Sequence, residues 1–176
     1  MTLIETMVAI SILAVAIVAP MSLTVQSLTS AFFARDHIIA SNLAQEAIES
    51  VRAVRDGNIL TIALTTTSTC VSDGLPIHLL CDIPIDADFM IDTRDNDITR
   101  CDADGTESCD PLQTDVDQTF YGYQSGWVDT AFTRVVRAEF TDETEDEIRI
   151  SVTVTQDGKA AAPEVVISEN LYRWVE

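Results

Sequence analysis

Hydrophobic and polar positions divide the chain into three stretches with different periods. From Thr6 to Ala34 no charged residue occurs, and Met7–Val25 holds only Ser11, Ser22 and Thr24 as polar side chains. Small hydroxyls of that kind can bond their own helix carbonyls. About 20 apolar residues suffice for a helix to cross the hydrocarbon core, so this run predicts a membrane-length helix. From Phe32 onward the apolar positions thin to Phe32, Ile39, Leu43, Ala47, Val51 and Val54, with Arg35, Asp36, Glu46, Glu49, Arg52 and Arg55 between them. Spacings of three, four and seven mark one apolar stripe on a continuing helix. Residues 43–55 are rich in good helix formers, and Gly57 stands where a left-handed stop is expected. One helix from about residue 2 to about 55 is therefore predicted, roughly 80 Å long at 1.5 Å per residue. Pro20 removes one amide donor and crowds the carbonyl of Ala16, predicting a kink or a melted stretch over residues 15–20.

Farther on the period changes to two. Phe132, Val136, Ala138 and Phe140 alternate with Thr133, Val135, Arg137 and Glu139; Ile148, Ile150, Val152 and Val154 alternate with Arg149, Ser151, Thr153 and Thr155. These are half-buried strands, separated by the turn-like TDETEDE and QDGKAAAP. A third strand over Val165–Leu171 completes an antiparallel meander, with Phe120–Tyr123 a fourth candidate. The free stripe of the helix is the natural cover for this sheet, giving an α+β fold. Residues 57–118 read as an irregular acidic region with brief strands at Ile77–Leu80 and Phe89–Ile91. The predicted organisation is an apolar helix over 1–30, its amphipathic continuation over 31–56, the irregular region over 57–118 and a β-sheet head over 119–176.

Charge sharpens the division. Residues 1–56 hold five acids and three bases, net −2; residues 57–176 hold 24 acids and seven bases, net −17. An acidic surface of that strength argues against gripping a nucleic-acid backbone. No phosphate-binding loop, dinucleotide fingerprint or H-E-x-x-H motif is present, and Ser125 of Gly122–Gly126 is one place late for a nucleophile elbow. His37 and His78 read as surface residues. No enzyme and no cofactor is expected.

Cys70, Cys81, Cys101 and Cys109 all lie in the irregular region at spacings that match no common zinc site. Three disulfide pairings are open; Cys70–Cys81 with Cys101–Cys109 is preferred because each closes one turn-rich loop. Aligning Gly105 with the invariant glycine of an EF-hand puts Arg100 and Pro111 at ligand positions, which excludes that loop. A looser calcium site drawn from Asp92, Asp95, Asp97, Asp102 and Asp104 stands beside the default of a solvated acidic loop.

Glu5 is an acid near the start of an apolar helix. As a terminal charge it would sit at the lipid headgroups. As a buried one it needs a cation, and the nearest in the chain is the α-amino group of residue 1, badly placed within one helix but reachable from a neighbouring chain. A cleaved signal peptide is the competing reading. It lacks a basic start, and its apolar run is too long.

Met1-Thr2-Leu3-Ile4-Glu5-Thr6-Met7-Val8-Ala9-Ile10, followed by the apolar run, resembles the mature N-terminus of bacterial type IV pilins and pseudopilins. Met1 stands where the family commonly has Phe, and Pro20 two positions before the family's usual proline. The resemblance implies N-methylation of Met1 after prepilin peptidase cleavage, with the leader absent from this numbering. It implies that Glu5 and Met1 act in assembly, Glu5 pairing with the next subunit's amine. The implied fold is a pilin-like head on a long helix. The implied function is a structural subunit of an extracellular filament, a homo-oligomer held in the cytoplasmic membrane before assembly. An assembly ATPase and a platform protein would be partners, and adhesion, motility or DNA uptake the outputs. The alternatives are a pseudopilin of a type II secretion system and a membrane-anchored binding domain that never polymerises.

Overall fold

A computed structural model describes residues 2–65, 83–101, 108–117, 119–141, 147–157 and 164–172. Helix α1 spans Leu3–Thr65, and the strands are β1 (Asp88–Asp92), β2 (Asp97–Arg100), β3 (Pro111–Thr114), β4 (Tyr121–Gly122), β5 (Val128–Phe140), β6 (Glu147–Gln156) and β7 (Val165–Tyr172). The chain divides into two compact units, residues 1–38 and 39–176.

The first unit is helix alone. Thr2 begins it, its carbonyl accepting the amides of Glu5 at 3.0 Å and Thr6 at 3.3 Å. The hydroxyls of Thr6, Ser11, Thr24 and Thr29 donate to the carbonyls of Leu3, Val8, Pro20 and Val25, so these four polar groups of the apolar run are satisfied by their own helix. The helix is continuous through Pro20, contrary to the melted stretch expected over residues 15–20. Proline forfeits one amide bond, and the turns on either side keep theirs.

The second unit joins the rest of α1 to a seven-stranded sheet. Ala40, Leu43, Ala44, Ala47, Ile48 and Val51 are buried against Phe89, Ile91, Leu112, Val136, Ala138 and the inward side of β6. Three alanines on that face let the helix backbone approach the strands closely. Ile39 and Val54 of the predicted stripe are partly buried on the same core. Phe32 departs from the stripe as read: it lies in the first unit and is exposed.

β5 is the axis of the sheet. Along one edge it pairs with β6 from Phe132↔Gln156 to Phe140↔Ile148, and β6 pairs with β7 from Glu147↔Tyr172 to Val154↔Val165. This is the predicted meander. Thirteen residues make β5 long enough to carry two short strands on its other edge, β1 at Asp88↔Arg137 and β3 at Pro111↔Thr133. Hairpin partners β2 and β4 extend these outward. All seven strands pair antiparallel; the only parallel pairing among the described residues is a bridge from Ile85 to Ala138.

Two expected boundaries move. The helix runs ten residues past Arg55, and Gly57 lies inside it with open space around its α-carbon. A helical glycine disfavours the helix by only about 1 kcal/mol relative to alanine, too little to end one. Residues 57–118 hold the expected strand at Phe89–Ile91 as part of β1, and are less irregular than expected in that β2 and β3 lie there as well. The predicted strand at Ile77–Leu80 lies outside the described residues.

Candidate functional site

Two regions carry unusual chemistry, one in each unit. In the first, every apolar side chain described from Leu3 to Phe33 is solvent-facing, including Ile4, Val8, Leu13, Val18, Met21 and Leu28. By length and composition α1 can cross a membrane. Soluble monomers do not expose a continuous apolar surface on this scale, so it marks contact with lipid or with protein. Glu5 is the single charge in the stretch. Its carboxylate reaches back to the Thr2 amide, Oε2 accepting at 3.4 Å. Thr2-Leu3-Ile4-Glu5 is therefore a T-x-x-E capping arrangement, in which the acid at the third helical position serves an orphan amide at the helix start. The bond is long, and Glu5 remains exposed. Its negative charge also lies at the favourable end of the helix dipole.

In the second unit the unusual group is Arg134, fully buried on β5. Nη1 donates to the Leu43 carbonyl of α1 at 3.2 Å and Nη2 to the Ile91 carbonyl of β1 at 2.6 Å. The nearest carboxylate, Glu46, is 3.9 Å away and half exposed. Nε and the neighbouring Tyr123 hydroxyl are both buried without an aligned hydrogen bond. Burial pushes the guanidinium down from its ordinary range, with Tyr123, Glu46 and Asp92 holding it up. Burial likewise raises the Tyr123 hydroxyl to about 12, against the pull of Arg134. Beside them Asp92 accepts from the amides of Arg94 at 3.1 Å and Tyr123 at 2.9 Å, and from Gln124 Nε2 at 2.9 Å. Burial pushes its carboxyl up, but these donors and Arg134 outweigh that and leave it below the usual range. A Cβ on Gly122 would stand 3.0 Å from Asp92 Oδ1, so glycine is what lets β4 close over the carboxylate. The cluster ties α1, β1, β4 and β5 together. It holds no nucleophile beside a base.

Comparison with known proteins brings no match: no family model, no curated protein and no solved structure matches this chain.

The structure brings some of the predicted residues together. Cys101 and Cys109 form a disulfide with Cα atoms 4.5 Å apart, closing the connection from β2 to β3; Cys70 and Cys81 lie outside the described residues. Asp92, Asp95 and Asp97 line a cleft of ≈ 210 Å³ with Asp110 and Tyr123. Asp92 is spent on its three donors, and Asp95 Oδ1 accepts the Asp97 amide at 3.3 Å. Among the described residues no group of three His, Cys, Asp or Glu side chains stands ready to hold a metal ion. Asp102 and Asp104 lie outside the described residues, as do Met1 and His78, while His37 is exposed on α1. Arg134 was not foreseen. The signal was parity: it sits between Phe132 and Val136, both inward, on the same face of β5.

Proposed function

We propose that the chain is a pilin-like structural subunit that polymerises through its N-terminal helix into an extracellular filament. The observation that carries this reading is the exposed apolar surface from Leu3 to Phe33 with Glu5 as its sole charge. A bilayer can cover that surface while the subunit waits, and a bundle of like helices can replace the bilayer during assembly. Lipid tails and apolar helices are equally greasy, so the exchange is driven by packing at small residues such as Ala9 and Ala16 and by pairing of Glu5 with a neighbour's N-terminal amine. That pairing would displace the weak bond from Glu5 to the Thr2 amide. The acidic head faces outward and keeps the filament dispersed by charge repulsion. Filament imaging with the subunit identified by mass is the test, and Glu5→Ala is the decisive variant: membrane insertion should persist and filaments should disappear. Filaments that survive the substitution sink the proposal. Long filaments distinguish a pilus from the short pseudopilus of a secretion system.

A second reading has one observation in its favour. Because Glu5 already has a partner in Thr2, the charge does not strictly demand another chain, and a membrane-anchored binding domain would carry the same start. Such an anchor would be indifferent to Glu5→Ala and would never appear in a fibre.

A further inference from the structure

The head is strongly acidic, yet two places on its sheet expose apolar side chains. The first gathers at the tips of two hairpins. Val116 is 92% exposed in the β3–β4 turn and Phe120 is 55% exposed just before β4, while Val128, also exposed, opens β5 opposite Thr114. Arg94, in the β1–β2 turn, sets its guanidinium 5.8 Å from the centre of the Phe120 ring and 5.4 Å from that of Trp127. Among the described residues this guanidinium makes no ion pair and no hydrogen bond, so the two rings are what hold it. A guanidinium stacked in this way keeps its N–H groups for a carboxylate and loses little freedom on taking one. Asp115, Asp117 and Asp129 rim the patch. Their field repels a small free anion, so the carboxylate has to arrive on a surface that also covers Phe120 and Val116.

The second place is at the far side of the same sheet, since β4 and β7 lie at its opposite margins. Around the start of β7, the side turned away from the core is uncharged: Thr133 and Val135 of β5, Thr153 and Thr155 of β6, Val166 and Ser168 of β7. Val166 is 57% exposed. Glu164 and Asp157, both exposed, border this area. Of the two, Glu164 is the one in line with Val166, two residues before it on the same side of the strand and so about 7 Å away. That separation is close to the 5.8 Å between Arg94 and Phe120. Two heads meeting patch to patch would press Asp115, Asp117 and Asp129 against their own copies. A patch meeting the neutral corner of β7 instead brings one carboxylate to one unspent arginine, with an apolar side chain beside each.

We propose that the Arg94, Phe120 and Val116 patch of one head docks the Glu164–Val166 corner of a second copy, Arg94 pairing with Glu164 and the Phe120 ring covering Val166. The two sides differ, so the contact runs head to tail and can repeat from copy to copy. It concerns the heads alone; the membrane reading of α1 serves only to hold them at one surface, and polymerisation through α1 is not required. Full-length chain carrying benzoylphenylalanine in place of Phe120 is mixed with isotopically heavy full-length chain in phosphatidylcholine vesicles and irradiated. Cross-links should fall in the heavy peptide that holds Glu164 and Val166. Arg94→Glu in the light copy, or Glu164→Arg in the heavy one, should cut their yield by about tenfold, because like charges then meet. Mixing the two variants should restore it, which a misfolded head could not do. Cross-links to another segment of the heavy copy, or none between copies, overturn the proposal. So does a yield that stays low when the swapped charges are combined. Glu5→Ala keeps the two claims apart: cross-links that persist in that variant while filaments disappear support both, whereas wild-type filaments that never give this cross-link remove the contact and leave the polymer intact.

Discussion

The two parts of α1 are one continuous helix built on opposite terms. Over Leu3–Ile38 Ala, Ile, Val, Leu, Ser and Thr predominate, the β-branched ones among them indifferent helix formers, and every apolar side chain described faces outward. Over Ile39–Thr65 Glu, Gln, Asn and Arg join the Ala and Leu, and one face is buried against a sheet. In the second part tertiary packing selects the helix, as it does in most globular domains. The first part has no such packing among the described residues; by length and composition it can cross a membrane, where unpaired backbone groups are intolerable and a helix is enforced. A single secondary structure therefore says little about what stabilises it; the faces have to be examined one by one.

The largest expected effect falls on the tie that only the second part has. Arg134 holds a helix carbonyl and a strand carbonyl at once, so Arg134→Ala leaves Leu43 and Ile91 without their donor and opens a cavity. About 3–5 kcal/mol of head stability should go, seen as a large drop in the denaturant midpoint of the solubilised protein. Arg134→Met fills the space with an apolar chain and should recover a good part of that loss. If both variants are equally damaged, hydrogen bonding rather than packing is what Arg134 supplies.

A matched pair of leucines compares the two parts directly. Leu43 is 3% exposed and Leu13 63%. Leu43→Ala should lower head stability by about 2–5 kcal/mol, the range for a buried leucine. Leu13→Ala should leave the melting of the head untouched and show only in membrane retention or assembly. A head destabilised equally by both would mean that the first part contributes to the core after all.

Much of this was legible in residue order and some was not, for identifiable reasons. β5, β6 and β7 announce themselves because one face is buried and the other solvated, as in Ile148–Val154, where every second residue is apolar. β1 shows only as the brief apolar piece Phe89–Ile91, because Phe89, Met90, Ile91 and Asp92 are buried in succession and no alternation marks its bounds. At four residues, β2 and β3 are too short to show a period. The Cys101–Cys109 bridge follows from local loop closure. At the apolar end the run and its lone acid are plain, whereas the T-x-x-E cap of Thr2–Glu5 is masked by the membrane context, in which an acid draws attention as a charge rather than as a cap. Arg134 was hidden by its own charge: polar type outweighed the parity that placed it inside.

Asp92 gives the head a pH signature that the apolar helix cannot share. Its folded carboxyl lies below the usual range, so the charged form is favoured by folding. The stability it contributes is present above the unfolded value near 4 and is lost as pH falls through the folded one. Unfolding of the head should therefore steepen on the acid side of about pH 4. Asp92→Asn, which removes that titration, should flatten this limb while lowering stability at neutral pH. An unchanged acid limb would place the sensitivity in other carboxylates.

The smallest effect decides where the second part of the helix ends. Gly57 was expected to be a left-handed stop, a conformation in which a Cβ is penalised. It lies instead inside α1, with nothing within 4 Å of where a Cβ would be. The two placements give opposite signs for one substitution. In a helix interior Gly57→Ala removes backbone freedom from the unfolded chain and should stabilise by about 0.5–1 kcal/mol. At a left-handed cap it should destabilise by a comparable amount. A rise in the thermal midpoint of the head by a few degrees supports the continuous helix to Thr65, and a fall returns the boundary to Asp56. The first part of α1 plays no role in the outcome, since Gly57 lies in the second unit with the sheet.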